Sequence, residues 1–159
     1  MYFGGNQFEY PRDSMNEIEE GLFLGDINAV ENADFLRSKN ITKVVSLLEY
    51  FPSYSTFEGI DYHQIAIEDA AYSNLLKFVP EAIRFISNAK KNGHNVLVHC
   101  AAGISRSSSL VIAYIMVKYN KTYNEARDLV NQKRRGICPN LGFVRQLQSI
   151  EIDQYKEFL

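Results

Sequence analysis

The sequence predicts an α/β domain with a central, mainly parallel sheet of four to five strands and helices on both faces. Two observations carry this reading. Short β-branched or apolar runs alternate along the chain with stretches whose apolar residues recur at helical spacing. One helical stretch, Leu110–Val117, is apolar on nearly every side, which suits a helix at the centre of a domain. The length of 159 residues, 46% of them hydrophobic, supports a single core and a single domain.

Residues 1–20 are polar and, at first, glycine-rich. They read as an irregular arm across the surface, the arm proper taken as 1–15 and the domain as 16–159. Leu22-Phe23-Leu24 is a short strand followed by a Gly25-Asp26 turn, and a helix is expected over Val30–Ser38 with Ala33 and Leu36 inside. Ile41–Leu48 (ITKVVSLL) suits a buried strand, and Phe51–Gly59 is turn-rich and loop-like. His63, Ile65 and Ile67 alternate with Tyr62, Gln64 and Ala66, a period-2 strand pattern. Leu75, Leu76, Val79, Ala82, Ile83, Ile86 and Ala89 fill one helical face, with Pro80 in the first turn of a restarted helix.

Val96-Leu97-Val98 is a short buried strand, and the apolar helix follows over about Ser105–Lys118. Thr122 and Glu125 match a capping box that opens another helix, which ends near Gly136. The basic run Lys133-Arg134-Arg135 reads as charge complementing that helix's C-terminus. Phe143, Leu147 and Ile150 mark a last amphipathic helix with Asn140 as its cap.

Composition narrows the function. Lys plus Arg is 17 and Asp plus Glu 19, a formal charge of −2, without the basic footprint of a nucleic-acid or anionic-membrane binder. With 23% charged and 13% aromatic residues, the chain is too apolar for intrinsic disorder. Cys100 and Cys138 make no disulfide framework, and no CxxC pair suggests zinc. No secretory or lipid-anchor signal is visible, and the longest apolar run is too short to span a bilayer. A reducing intracellular compartment and a monomer are the expectation.

The chemistry concentrates in Val96–Ser109, where a buried strand ends, a small-residue loop follows and a buried helix begins. The backbone amides of Ala101–Arg106 can converge on one anion, aided by the positive end of the helix. Ala101, Ala102 and Gly103 let those amides approach closely. A free thiol titrates near 8.5, and bringing one down to about 5.5 requires about 4 kcal/mol of preferential thiolate stabilisation. A helix dipole supplies about 0.3–1 kcal/mol, up to roughly 2. The dipole alone falls short, so loop amides and the hydroxyls of Ser105 or Ser107 must provide the rest.

His99-Cys100-Ala-Ala-Gly-Ile-Ser-Arg106-Ser107 resembles the His-Cys-x5-Arg-Ser/Thr loop of the cysteine-dependent protein tyrosine phosphatases. The longer string HCAAGISRSSSLVIAYIM is similar to the small, atypical dual-specificity phosphatases. The likeness continues through EGLFLGD, Asp69 and PNLGFVRQLQ, leaving out only about the first fifteen residues.

The resemblance implies a protein tyrosine phosphatase-like fold and hydrolysis of phosphotyrosine, phosphoserine and phosphothreonine through a phosphocysteine, without a metal or other cofactor. Cys100 is then the nucleophile and Arg106 the bidentate holder of two phosphoryl oxygens. The amides of Ala101, Ala102, Gly103, Ile104, Ser105 and Arg106 bind phosphate, Ser107 eases thiolate departure, and His99 orders the loop from behind. Asp69 is the general acid, preferred over Glu68 and Asp61, and Asn140 braces the loop or caps the last helix. His63 and His94 read as non-functional, and Cys138 as a small buried side chain or, less economically, a resolving thiol.

Competing patterns fare worse. Gly103-Ile-Ser105-Arg-Ser107 lacks the second glycine of a serine-hydrolase elbow, and no GK[ST] makes a nucleotide loop. The alternatives are a phosphoinositide or RNA phosphatase, or a phosphate-binding pseudophosphatase module. Uncharged Ala101, Ala102, Ile104 and Ser105 favour a phosphoprotein partner over those polyanions, and the expected location is the cytoplasm with nuclear access.

Overall fold

The computed structural model describes residues 10–159. Five strands, β1 (Met15–Glu19), β2 (Leu22–Gly25), β3 (Ile41–Leu48), β4 (Asp61–Ala66) and β5 (Asn95–His99), form one sheet in the order β1-β2-β5-β3-β4. Only β1 runs antiparallel, to β2; the other pairings are parallel. β1 corrects the reading of residues 1–20 as irregular. Met15 and Ile18 are buried, so this polar segment still spends two apolar side chains on the core while pairing at the sheet edge. Residues 1–9 of the expected arm lie outside the described residues.

Away from register shifts at Glu17/Glu19 in β1 and Ile41/Lys43 in β3, the strands alternate between two faces. Leu22, Leu24, Val45, Leu47, Val96 and Val98 point into the larger core with α3 (Val79–Lys91), α4 (Arg106–Tyr119), α5 (Tyr123–Lys133) and α6 (Leu141–Ser149). Phe23, Val44 and Leu97 point the other way, against α1 (Ile27–Val30) and α2 (Ala33–Ser38). The single helix expected over Val30–Ser38 is thus two short ones. Asp26 caps the first by accepting from Ala29 N, and Asn32 caps the second by accepting from Phe35 N, so the chain restarts at Asn32. Pro80 sits in the first turn of α3, after a 3-10 turn over Leu76–Phe78. A second 3-10 segment, Ile152–Phe158, follows α6 and was not legible in the sequence.

α4 is buried throughout Ser107–Val117, in keeping with its apolar circumference. The capping box on α5 is complete, with Thr122 and Glu125 satisfying one another's backbone N–H. The topology fixes where a ligand can go. β2 hands the chain to α1 on one face of the sheet, and its neighbour β5 hands it to α4 on the other. A crevice opens at the C-terminal ends of adjacent parallel strands whose connections diverge in this way. No described helix is long and apolar enough to cross a membrane.

Candidate active site

Cys100 follows the last residue of β5 and is 2% exposed. Its Sγ stands 3.1 Å from Ser107 Oγ in the first turn of α4, and Gly103 N–H donates to it at 3.2 Å. Cys100 N–H in turn reaches Gly25 O on β2 at 3.4 Å.

The loop after Cys100 is shaped by what holds its carbonyls. Ala101 O accepts from Ile27 N at 3.1 Å, and Ile104 O accepts from Cys138 N at 2.8 Å and Ser108 Oγ at 2.5 Å. Gly103 O accepts from Arg134 Nε at 3.0 Å, with Arg134 Nη2 3.5 Å from Ala102 O. Ser105 O accepts from Ser109 N at 2.9 Å and from the hydroxyls of Ser108 and Ser109. Five consecutive carbonyls are therefore held by groups behind the loop. Because C=O and the following N–H of a trans peptide point in opposite directions, the N–H groups of residues 102–106 turn toward the Cys100 side. The sequence supplies one requirement of this path in Gly103. Its φ is +65°, and a Cβ there would stand 2.6 Å from both Arg134 Nη2 and Gly25 O.

Arg134 is the residue the sequence reading missed. Instead of a solvated charge at a helix end, it is 1% exposed and also donates to Asp13 O at 2.7 Å and Asn16 Oδ1 at 2.8 Å. Burial pulls its guanidinium below the ordinary arginine range, while Asp26, Cys100 and Asp13 oppose that. A signal existed: Ala126 and Val130 lie on the buried side of α5, and Arg134 follows four residues after Val130, just past the end of the helix. Arg134 is thus a second cation at the loop, beside Arg106.

Arg106 opens α4. Its Nη1 donates to Ile67 O at 3.3 Å, and its Nε is buried without a partner among the described residues. A buried guanidinium N–H left unpaired costs energy, and an oxyanion in the bowl would satisfy it. The Asp69 loop is tied to the same place. Ser105 Oγ donates to Asp69 Oδ1 at 2.7 Å and accepts from Asn140 N, while Asn140 Nδ2 donates to Asp69 Oδ1 at 2.9 Å. Both bonds land on Oδ1, leaving Oδ2 to hold or give a proton. Asn140 also caps α6 through Phe143 N, so the one side chain bonds both Asp69 and the helix start. Glu68 instead accepts from Tyr72, and Asp61 pairs with Lys43 at the start of β4, the opposite end of the sheet from Cys100.

Behind the bowl, register pairs Ser46 of β3 with His99 of β5. Tyr54 and Ser46 share a hydrogen bond, Ser46 Oγ lies 2.6 Å from His99 Nε2, and His99 Nδ1 lies 3.2 Å from Cys100 O. A carbonyl can only accept, so Nδ1 carries the proton and Nε2 accepts from Ser46. Burial lowers the His99 pKa to about 4; the Cys100 carbonyl opposes this and the Arg106 charge adds to it. The imidazole is neutral and serves as a spacer.

The structure thus brings Cys100, Arg106, Ser107, Asp69, Asn140 and His99 around one loop. It keeps His63, stacked on Phe85, and His94, bonded to Thr42, away from it. Cys138 is exposed, contrary to the buried side chain expected, because the chain there is spent on the backbone bond to Ile104.

The catalytic-domain family of the dual specificity phosphatases matches residues 22–153. Dual specificity protein phosphatase 1B of Arabidopsis thaliana is 38% identical over 138 residues, covering 86% of this chain and 81% of that protein. Human dual specificity protein phosphatase 22 is 35% identical, covering 92% and 80%. The crystal structure of DUSP15 superposes with a TM-score of 0.85 at 30% identity, covering 91% of both chains. The human tyrosine phosphatase-like serine/threonine/tyrosine-interacting protein superposes at 0.81 with 36% identity, covering 84% of this chain and 93% of that one.

A strand-loop-helix bowl closed by a cysteine and an arginine six residues apart defines a cysteine-based phosphoric monoester hydrolase. The chain belongs to the dual specificity phosphatase family. It is a dual-specificity protein phosphatase domain.

Proposed function

We propose that Cys100, Arg106, Asp69 and Ser107 carry out hydrolysis of phosphotyrosine and of phosphoserine or phosphothreonine in proteins, in two displacements at phosphorus. The Cys100 thiolate attacks phosphorus while the ester oxygen leaves, taking a proton from Asp69 Oδ2. Arg106 and the amides of residues 102–106 bind the three equatorial oxygens, where charge is concentrated in the transition state. Water then attacks the phosphocysteine, giving a proton to the Asp69 carboxylate, and Ser107 donates to the departing sulfur. Asn140 and Ser105 keep Asp69 in place, and His99 keeps the Cys100 carbonyl turned back.

The observation that supports this reading most is the buried, unpartnered Arg106 Nε across the loop from a 2% exposed thiol. The uncharged side chains of the loop favour a phosphoprotein over a phosphoinositide or RNA. A monomer in the reducing cytoplasm or nucleus, with residues 16–159 as one catalytic unit, completes the proposal. The test is a panel of phosphotyrosine and phosphothreonine peptides, phosphoinositides and 5′-phosphorylated RNA with the wild type and Cys100→Ser. Turnover of the peptides by the wild type alone is expected. Equal activity of Cys100→Ser refutes the nucleophile, and a preference for lipid or RNA refutes the substrate class. Retention of phosphopeptide without any turnover by the wild type points to the binding module instead.

A further inference from the structure

Outside the bowl, the C-terminal edge of the parallel strands carries an unusual rim. Six large apolar or aromatic side chains stand out into solvent among the described residues, and three of them lie here: Tyr50 (70% exposed), Tyr72 (79%) and Leu141 (69%). Tyr50 lies two residues beyond β3, Tyr72 lies three residues beyond Asp69, and Leu141 directly follows Asn140. The Asp69 loop and the start of α6 run side by side. Asn140 bonds Asp69, and the Gly142 backbone packs so closely on Ala71 that a Cβ would come within 2.0 Å of Ala71 O. Tyr72 and Leu141 are the neighbours of that contact, so both border the site at which a substrate's phosphate ester must leave.

Two carboxylates stand among these side chains. Glu68 accepts from the Tyr72 hydroxyl, and Glu49 precedes Tyr50. Ile67 N–H donates to Leu48 O at 2.8 Å, continuing the β3–β4 register, so Glu49 leaves the sheet beside the segment that carries Glu68 and Tyr72. The bond to Glu68 raises the Tyr72 phenol above its ordinary range. Neither belongs to an ion pair among the described residues. Exposed phenol rings beside unpaired carboxylates match one side chain above others: a guanidinium, which stacks on a ring face and forks to a carboxylate.

We propose that Tyr50, Tyr72, Leu141, Glu49 and Glu68 form a substrate-selecting rim that takes an arginine-bearing flank beside the phosphorylated residue and rejects an acidic one. This deepens the phosphoprotein reading above and rests on it. Steady-state kinetics on three phosphotyrosine peptides, alike except for Arg, Ala or Glu on both sides of the phosphotyrosine, test it.

At low salt, kcat/KM is expected to favour the Arg peptide over the Glu peptide by about tenfold, since each exposed charge contact is worth a few-fold. Raising the salt to about 0.5 M should shrink that ratio severalfold. Glu49→Lys should reverse the order of the peptides. Tyr72→Ala should raise KM for the Arg peptide with little change in kcat. Nitrophenyl phosphate, which has no flank, should be turned over equally by wild type, Glu49→Lys and Tyr72→Ala. Equal kcat/KM on the three peptides, or an order unchanged by Glu49→Lys, overturns the rim. A wild type inactive on every peptide and on nitrophenyl phosphate overturns the phosphatase reading beneath it.

Discussion

Replacing Arg134 with Met tests whether the catalytic bowl is held open from behind. Arg134 is 1% exposed and makes three well-formed hydrogen bonds, to Gly103 O, Asp13 O and Asn16 Oδ1, at 3.0, 2.7 and 2.8 Å. Bonds from a charged donor are worth about 1.5 kcal/mol each at the low end, or about 4–5 kcal/mol together. Removing the guanidinium also relieves its own desolvation, so a net loss of about 3 kcal/mol is expected. For a domain of this size that lowers Tm by about 6–12 °C.

The same change frees the Gly103 peptide to rotate, pointing an oxygen into the bowl where an N–H stood. Losing one amide contact to a phosphoryl oxygen costs about 1.5–3 kcal/mol in the transition state, a fall of about 10–100-fold in kcat/KM on nitrophenyl phosphate. Arg134→Lys keeps the charge and loses the fork, and should fall between. Thermal unfolding and nitrophenyl phosphate kinetics on the same samples measure both effects. A Met variant that melts with the wild type, or that melts lower yet keeps full kcat/KM well below its Tm, refutes the link between Arg134 and the loop.

Three further outcomes are expected. Asp69→Asn should slow a phosphothreonine peptide by about 10²–10⁴-fold and nitrophenyl phosphate far less, because nitrophenolate leaves without a proton; equal losses on both would point to another acid. His99 titrates near 6.5 when unfolded and at about 4 in the fold, so the unfolded chain binds more protons between those values. Its contribution to stability is complete above about pH 6.5 and falls by about 3 kcal/mol as pH drops to 4. Urea unfolding of His99→Gln at pH 7 and 4.5 should show a shallower acid loss than wild type, and an unchanged slope contradicts it. Gly103→Ala places a Cβ 2.6 Å from two fixed atoms at φ +65°, so activity should be lost together with several degrees of Tm. A fully active, equally stable alanine variant would rule out the loop path described.

The sheet was legible because its strands are short and strictly patterned. Ile41–Leu48 matches β3 residue for residue, and the all-round apolarity of Leu110–Val117 announced a central helix. β1 was not legible, since an edge strand spends only Met15 and Ile18 on the core and leaves Asn16, Glu17 and Glu19 to water or side-chain partners. The strand-loop-helix path from Cys100 to Arg106 was legible because it depends on local spacing along the chain. The residues holding it from afar were not. Ser46 reaches His99 through strand register and Arg134 reaches Gly103 across 31 positions. Cys138 misled for the same reason: its backbone serves Ile104 and its side chain faces solvent.

The most direct test of the central claim is capture of the covalent intermediate. Ser107→Ala should slow departure of the sulfur, so that mixing it rapidly with nitrophenyl phosphate gives a burst of nitrophenol equal to the enzyme, followed by slow turnover. Mass spectrometry of the quenched protein should find one phosphoryl group on the peptide containing Cys100. A burst-free time course, with turnover continuing and no phosphate on Cys100, would contradict the account.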